Sequence, residues 1–346
     1  MMILCVASPE RVAANDSAAE TAAGGLQLRD ERRVSMIKER LYIGKQFIGR
    51  VSSGLPNLEN KYRVIVEYEF LNESTEDITT EVAFPLPEFN YRFEDLGGDR
   101  RIRGFKVQVD GKAVVYKTEM RAKAGGRDVT GLPKAGGRDV TDLLRKAGVE
   151  IMTFGRFQGY NAPRPGSYQV DRLPESTQSV LKAAGAIDKN LNPLWSVAIM
   201  YHWKQTFPVG KIVRVKHEYD AIPGFSFGFR VREYLDGLKD GCFDDGLTRA
   251  LEAAHGALEV AHARDPKSDG EVMINSEWVK YILTTANTWK TPIRDFELIV
   301  ERPAGQFVSF CWDGKVEKLS DTRFRATARD FVPTRELLIY FLSVGE

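Results

Sequence analysis

From residue 62 to residue 84 the chain alternates apolar and polar positions. Tyr62, Val64, Val66, Tyr68 and Phe70 stand between Arg63, Glu67 and Glu69, the period-2 pattern of a strand with one face buried. Asn72, Glu73, Ser74 and Thr75 supply turn chemistry, and Ile78, Thr80, Val82 and Phe84 resume the alternation. Phe84-Pro85-Leu86-Pro87 then stops it, because each proline removes a ladder donor and holds its neighbour extended. The spacing predicts an antiparallel hairpin. A second hairpin is predicted where Phe105, Val107 and Val109 lead into Asp110-Gly111 and residues 114–116 return. Residues 34–43 read as a first strand, placed at a sheet edge by Lys38, Glu39 and Arg40. Residues 15–25 are polar and Ala-rich, a loose leader.

Further along, residues 195–203 and 211–219 have strand character, joined through Phe207-Pro208-Val209-Gly210. A short helix is predicted over 176–184, stopped by Gly185. A longer one begins at Asp244 and Asp245, which cap it and complement its dipole. Leu247, Leu251, Ala254, Leu258 and Ala261 form its apolar stripe. The tail returns to strands: 296–300, then 307–312 and 315–319 around Asp313-Gly314, then 324–328 and 337–342, an antiparallel meander. The fold class expected is mainly β. An antiparallel β-sandwich covers 26–234, with a helical and loop insertion at 121–193, and a helix plus β-meander domain covers 235–346. Two domains also suit the length, since 346 residues exceed the ~250–300 at which single cores stop growing.

Composition narrows the function classes. Lys and Arg number 49 against 48 Asp and Glu, a net charge of +1, so no global field draws nucleic acid or an anionic membrane. No apolar run approaches the ~20 residues needed to span a bilayer, so a soluble chain is expected, and a monomer. Residues 1–14 hold a short apolar run, with Val12-Ala13-Ala14 in the place of a cleavage site. A basic n-region and a longer apolar core are missing, which leaves a truncated signal peptide or a cytosolic tail; the first implies periplasmic or secreted protein beginning at Asn15. Cys5 would leave with the signal, and Cys242 and Cys311 would remain. A pair suits one disulfide in an oxidising compartment. The alternative is two buried free thiols.

Residues 123–130 (KAGGRDVT) recur unchanged at 134–141. Four glycines weaken any helix there, so the duplication reads as an exposed, mobile stretch open to proteolysis at Arg127 or Arg138. Two copies are too few for a solenoid.

Candidate chemistry is sparse. Gly224-Phe225-Ser226-Phe227-Gly228 matches the G-x-S-x-G of a hydrolase elbow, with Asp244 and His255 following in the required order. The run to Val231 alternates as a strand would, without the helix such an elbow needs, which favours an ordinary strand serine. His255 and His262 lie seven apart on one helix, about 10 Å along its axis, too far for one metal with ~2 Å bonds. His202 and His217 fall on different strands, where structural hydrogen bonding is the commoner role. Gly97-Gly98 lacks the strand and helix of a phosphate cradle, and Arg100, Arg101 and Arg103 read as a solvated loop. Phe154, Phe157, Tyr160 and Tyr168 stand in a Gly- and Pro-rich loop, either pinning it to the core or presenting it to a glycan or protein. No cofactor, metal site or catalytic residue is assigned.

The hairpin ending in FPLP, the Asp110-Gly111-Lys112 turn and the FPVGKIVRVKHEY segment resemble the vault protein inter-alpha-trypsin domain, an extracellular β-sandwich, over about 62–222. Across most of the chain the sequence is similar to a bacterial exported family, domain of unknown function 4424. The matching segments are NDSAAETAAGGL at Asn15, FPLP at Phe84, GCFDD at Gly241, NTWKTPIRDFELIVE at Asn287, FCWDGKVEKLS at Phe310 and DFVPTREL at Asp330. The resemblance implies an exported β-rich protein and brings no established activity or site residues. The function expected is a non-enzymatic module binding a protein or glycan partner in the cell envelope. The alternative is an envelope hydrolase acting through Ser226.

Overall fold

The computed structural model describes residues 16–22, 25–46, 61–90, 102–125, 137–155, 168–221, 223–238, 241–264 and 271–345. The leader 1–14, Gly97-Gly98, Arg100, Arg101, Arg127, Phe157 and Tyr160 lie outside the described residues. The chain is mainly β. It opens with β1 (Ser17–Ala22) and β2 (Gly25–Arg29), an antiparallel pair where a loose leader was expected. Ala18 and Ala19 are buried there, and small side chains allow that close packing. Next come β3 (Val34–Gln46), β4 (Lys61–Asn72), β5 (Ile78–Pro85) and the short β6 (Phe89–Asn90). β7 (Arg103–Val109) and β8 (Lys112–Ala113) make the second predicted hairpin, and Asp110 and Gly111 take φ of 48° and 77°. Both turn residues in the left-handed region give the tight turn that suits twisted strands.

β9 (Lys117–Ala124) and the two-residue β10 (Arg138–Asp139) precede α1 (Thr141–Lys146) and α2 (Glu175–Ala183). β11 (Trp195–Phe207), β12 (Ile212–Ala221) and β13 (Gly224–Gly228) lead to α3 (Val231–Gly237) and α4 (Asp245–His262). Asp244 caps α4 by accepting from Leu247 N at 2.7 Å. The tail comprises β14 (Met273–Tyr281), β15 (Ile293–Glu301), β16 (Phe307–Phe310), β17 (Val316–Lys318), β18 (Arg323–Phe331) and β19 (Leu337–Gly345).

Contacts divide the chain into two units: Met1–Asp30, Thr80–Arg100 and Tyr116–Gln205, and Glu31–Thr79, Arg101–Val115 and Thr206–Glu346. The cut expected at 234/235 is not where they fall. The reason is β15, which pairs in parallel with β3 (Phe296 opposite Glu39, Glu301 opposite Gly44) and so puts tail strands into the sheet of the early ones. In the first unit the sheet runs β10-β9-β11-β5-β1-β2, with β6 also on β11. The region expected as a surface insertion packs a core of its own. Val140, Leu144, Ile151, Phe154, Val170 and Leu181 are buried, and Phe154 stacks on Trp195 at 5.7 Å. The two KAGGRDVT copies have different fates: Lys123 and Ala124 end β9, while Asp139 and Arg138 pair with them as β10.

In the second unit an eight-stranded sheet, β17-β18-β15-β3-β4-β12-β7-β8, faces a four-stranded one, β13-β14-β19-β16. β3 is interior, not an edge: Arg40 pairs with Glu297, Lys38 with Asp295, and Glu39 is buried. β4 pairs with β3 and β12, whereas β5 lies in the other unit's sheet beside β11, so the first predicted hairpin does not form. Asn72 explains the divergence. Its Nδ2 donates to Glu76 O and Phe207 O at 2.8 and 2.7 Å, and its Oδ1 accepts from Ser74. That holds 72–76 as a turn away from the ladder.

The two sheets meet over a polar seam inside an aromatic core. Lys45 Nζ and Tyr62 OH both donate to Glu277 Oε2 at 2.6 Å. Tyr281 OH donates to Glu39 Oε1 at 3.2 Å and lies 2.8 Å from Tyr68 OH. Burial and the adjacent carboxylates push both Tyr62 and Tyr281 well above the usual phenol range. On its opposite face the small sheet carries Ile274, Tyr340 and Leu342 against Val231 and Leu235 of α3 and Leu251 of α4. The α4 stripe is therefore Leu247, Thr248, Leu251 and His255, and Ala261 at its far end is exposed.

Candidate functional site

Ser226 sits in the middle of β13, directly opposite Ser276 of β14. Its strand is built by size. A Cβ at Gly224 would fall 2.1 Å from the Trp278 indole, and one at Gly228 would fall 2.5 Å from the Tyr234 ring. The inner face must therefore be Gly-Ser-Gly, while Phe225 and Phe227 point the other way. A helix does follow, at Val231, contrary to the sequence reading. The sheet it leaves is antiparallel at this strand, and Ser226 occupies no elbow. Asp244 and His255 belong to one helix, eleven residues and about 16 Å apart along its axis. His255 Nε2 lies 3.2 Å from Val272 O. No hydrogen bond joins Ser226 to either residue among the described ones. The G-x-S-x-G match is thus a packing motif.

The remaining histidines also have structural surroundings. His202 Nδ1 lies 2.6 Å from Glu81 Oε1. His217 is buried between Phe105, stacked at 5.3 Å, and Tyr68. Arg103 starts β7, and Tyr168 N donates to Asp171 at the head of a short 3-10 turn.

A concave site gathers where the tail strands turn. Near the end of β18, Asp330 takes a φ of 47° and bends the chain. The following loop is pinned from below. Glu336 accepts from Leu283 N at 2.7 Å and Thr284 Oγ1 at 2.6 Å, and Asn287 Nδ2 donates to Pro333 O at 2.9 Å. The facing loop, 311–314, is held by the Cys242–Cys311 disulfide, which closes 69 residues of chain. Ser309 Oγ donates to Cys242 O beside it, at 2.5 Å. Trp312 stacks on Phe296 at 5.5 Å and leans on Phe331 at 5.3 Å. Gly314 lets the loop pass close to the indole, since a Cβ there would lie 3.0 Å from Trp312 Nε1.

These segments enclose a cavity of about 250 Å³. Leu283, Trp312, Ala328, Phe331, Leu337 and the disulfide make an apolar floor, and Thr327, Thr334, Asp313 and Arg335 line it as well. Arg335 Nη2 pairs with Asp313 Oδ1, both well exposed. Of these residues the sequence singled out only Cys311, as the disulfide partner of Cys242. The available signal was the clustering of two quoted segments, FCWDGK and DFVPTREL, on strands whose turns face each other.

The sequence pattern of the domain of unknown function DUF4424 matches residues 14–340. The chain belongs to the DUF4424 family. Most of the cavity wall comes from two of the quoted segments, FCWDGK and DFVPTREL, with Leu283, Thr327 and Ala328 contributed from outside them. The inter-alpha-trypsin likeness stays a resemblance of short motifs. No curated protein matches the sequence. Among solved structures, this DUF4424 chain is similar to a Legionella pneumophila protein with a proposed nutrient-binding role. Identity is 13%, coverage 94% of this chain and 69% of that one, and the TM-score 0.40. It is also similar to the M1 zinc metallopeptidase of Deinococcus radiodurans (10% identity, 90% and 43% coverage, TM-score 0.29). Yeast LTA4 hydrolase matches at 8% identity, 99% and 33% coverage, and a TM-score of 0.32. The chain thus spans under half of the peptidase and a third of the hydrolase. At these scores none of the three carries an argument about chemistry. The H-E-x-x-H zinc pattern is also absent: His217-Glu218 lies on β12 and reaches Ala221 where the second histidine would stand.

Proposed function

We propose that this protein is a non-enzymatic binding module of the cell envelope, and that the Trp312 cavity takes a sugar-sized part of a glycan. The cavity carries the reading: a floor with aromatic walls under an ion pair and threonine hydroxyls. Sugar rings present apolar C–H faces and a rim of hydroxyls, and an Asp–Arg pair with two threonines offers donors and acceptors to such a rim. The size limits the ligand. About 250 Å³ is below the ~300–1,000 Å³ of drug-sized pockets, so one ring fits and a longer chain would run outside. The Cys242–Cys311 bond supports an oxidising, hence periplasmic or secreted, location.

Calorimetric titration of the full chain with mono- and disaccharide units of envelope glycans tests the reading. Arg335→Ala and Asp313→Asn, both on exposed side chains, are expected to weaken binding about tenfold or more, the loss of one charge-assisted contact. Absence of binding to every glycan, or binding indifferent to both substitutions, would overturn it. A parallel esterase and glycosidase screen with Ser226→Ala as control is expected to show no Ser226-dependent turnover.

A further inference from the structure

β13 is an edge strand: among the described residues it pairs with β14 alone. Solvent-facing edges are ordinarily guarded by charge, proline or a bulge, since their free N–H and C=O groups are a template for another strand. Gly224-Phe225-Ser226-Phe227-Gly228 carries none of these guards. Phe225, Phe227 and Phe229 are instead 38%, 52% and 47% exposed, and their rings run in file at 6.3 and 6.0 Å. The segment also reads the same in both directions about Ser226.

We propose that β13 pairs antiparallel with β13 of a second copy, about a two-fold axis through Ser226. This surface is separate from the Trp312 cavity. A two-fold interface must complement itself, and a palindrome does so residue by residue. Phe225 of each copy faces Phe227 of the other, Gly224 faces Gly228, and Ser226 faces Ser226. Cross-strand aromatic pairs of this kind stabilise a ladder. The paired segment is uncharged, so no like charges meet across the seam, and the neighbouring Glu277 carboxylate is turned to Lys45 and Tyr62. Area sets the strength. The three rings leave roughly 250–300 Å² of apolar surface per copy, about a third of the ~800 Å² per partner in a stable complex. The product is a weak dimer that joins two four-stranded sheets into one of eight, in place of the monomer expected from the sequence.

Sedimentation equilibrium of the full chain from about 5 to 500 µM should show mass rising from monomer toward dimer, as protomer concentration drives assembly. Phe227→Glu should lower the association constant at least tenfold with an unchanged circular dichroism spectrum. Oxidising a mixture of Phe225→Cys and Phe227→Cys chains should cross-link the two variants in preference to either with itself. A mass that stays monomeric throughout overturns the proposal. So does a dimer indifferent to Phe227→Glu, and cross-linking without that preference rejects the register.

Discussion

Replacing Glu277 by leucine should leave two buried donors without an acceptor at once. Lys45 Nζ and Tyr62 OH share Glu277 Oε2, and the Lys45 and Glu277 side chains are only 9% and 10% exposed. Removing one member of a buried pair costs about 3–5 kcal/mol, because the remaining charge stays desolvated. The orphaned phenol adds about 1–3 kcal/mol. Lys45 sits close to the Tyr62 ring, at 5.8 Å, which offsets part of the loss, so about 5 kcal/mol in all is expected. The decisive step is the rescue. Lys45→Met with Glu277→Leu removes both charges and should recover most of the loss, leaving about 1–3 kcal/mol for the phenol. Adding Tyr62→Phe should bring the triple variant within about 1 kcal/mol of the parent, since a well-packed apolar replacement of a buried pair is often neutral. Equilibrium urea unfolding of the four proteins, compared at equal slope, reads these steps. Should the double variant be as unstable as Glu277→Leu alone, the penalty is a packing defect and the electrostatic account is wrong.

Two further outcomes follow from the second unit. Reducing Cys242–Cys311, or replacing both by serine, should cost about 2–4 kcal/mol and lower the melting temperature by roughly 5–15 °C; a scan insensitive to reductant would contradict the staple across 69 residues. Glu73 is held at about 2, from an ordinary 4.5, first by Arg294, then by Lys290 and Ser35. A depressed carboxylate stabilises above its unfolded value and loses that contribution as pH falls through the folded one. Glu73 is a quarter exposed, so screening limits the effect to about 1 kcal/mol. Glu73→Gln should therefore be less stable than the parent at pH 7 and nearly equal to it by pH 2, in calorimetric scans across that range.

Strand positions are legible in this chain because one-sided burial writes itself as alternation. β4 shows it best: Tyr62, Val64, Val66, Tyr68 and Phe70 are all buried. Partners are less legible. Asn72 looks like ordinary turn chemistry, yet its side-chain bonds to Glu76 O and Phe207 O send β4 and β5 into different sheets. The parallel pairing of β3 with β15 has no turn to announce it, since its two strands are some 250 residues apart. The charges of β3 pointed the wrong way for a related reason. Lys38 and Arg40 mark an edge only when nothing lies beside them, and the Asp295 and Glu297 that pair with them belong to that distant strand.

The sites divide along the same line. The disulfide could be inferred from counting and compartment, with no geometry required. The G-x-S-x-G segment could be judged a strand from its alternation, but not why its small residues are small. That answer lies in Trp278, 54 residues after Gly224, and Tyr234, six after Gly228, which occupy the space that side chains at those glycines would need. Forced small on its inner face, β13 carries its bulk outward as phenylalanine. Inner-face packing leaves the outer face free to carry that aromatic file but does not require it. The exposed rings and the absence of any guarding charge or proline along the strand are what self-pairing explains.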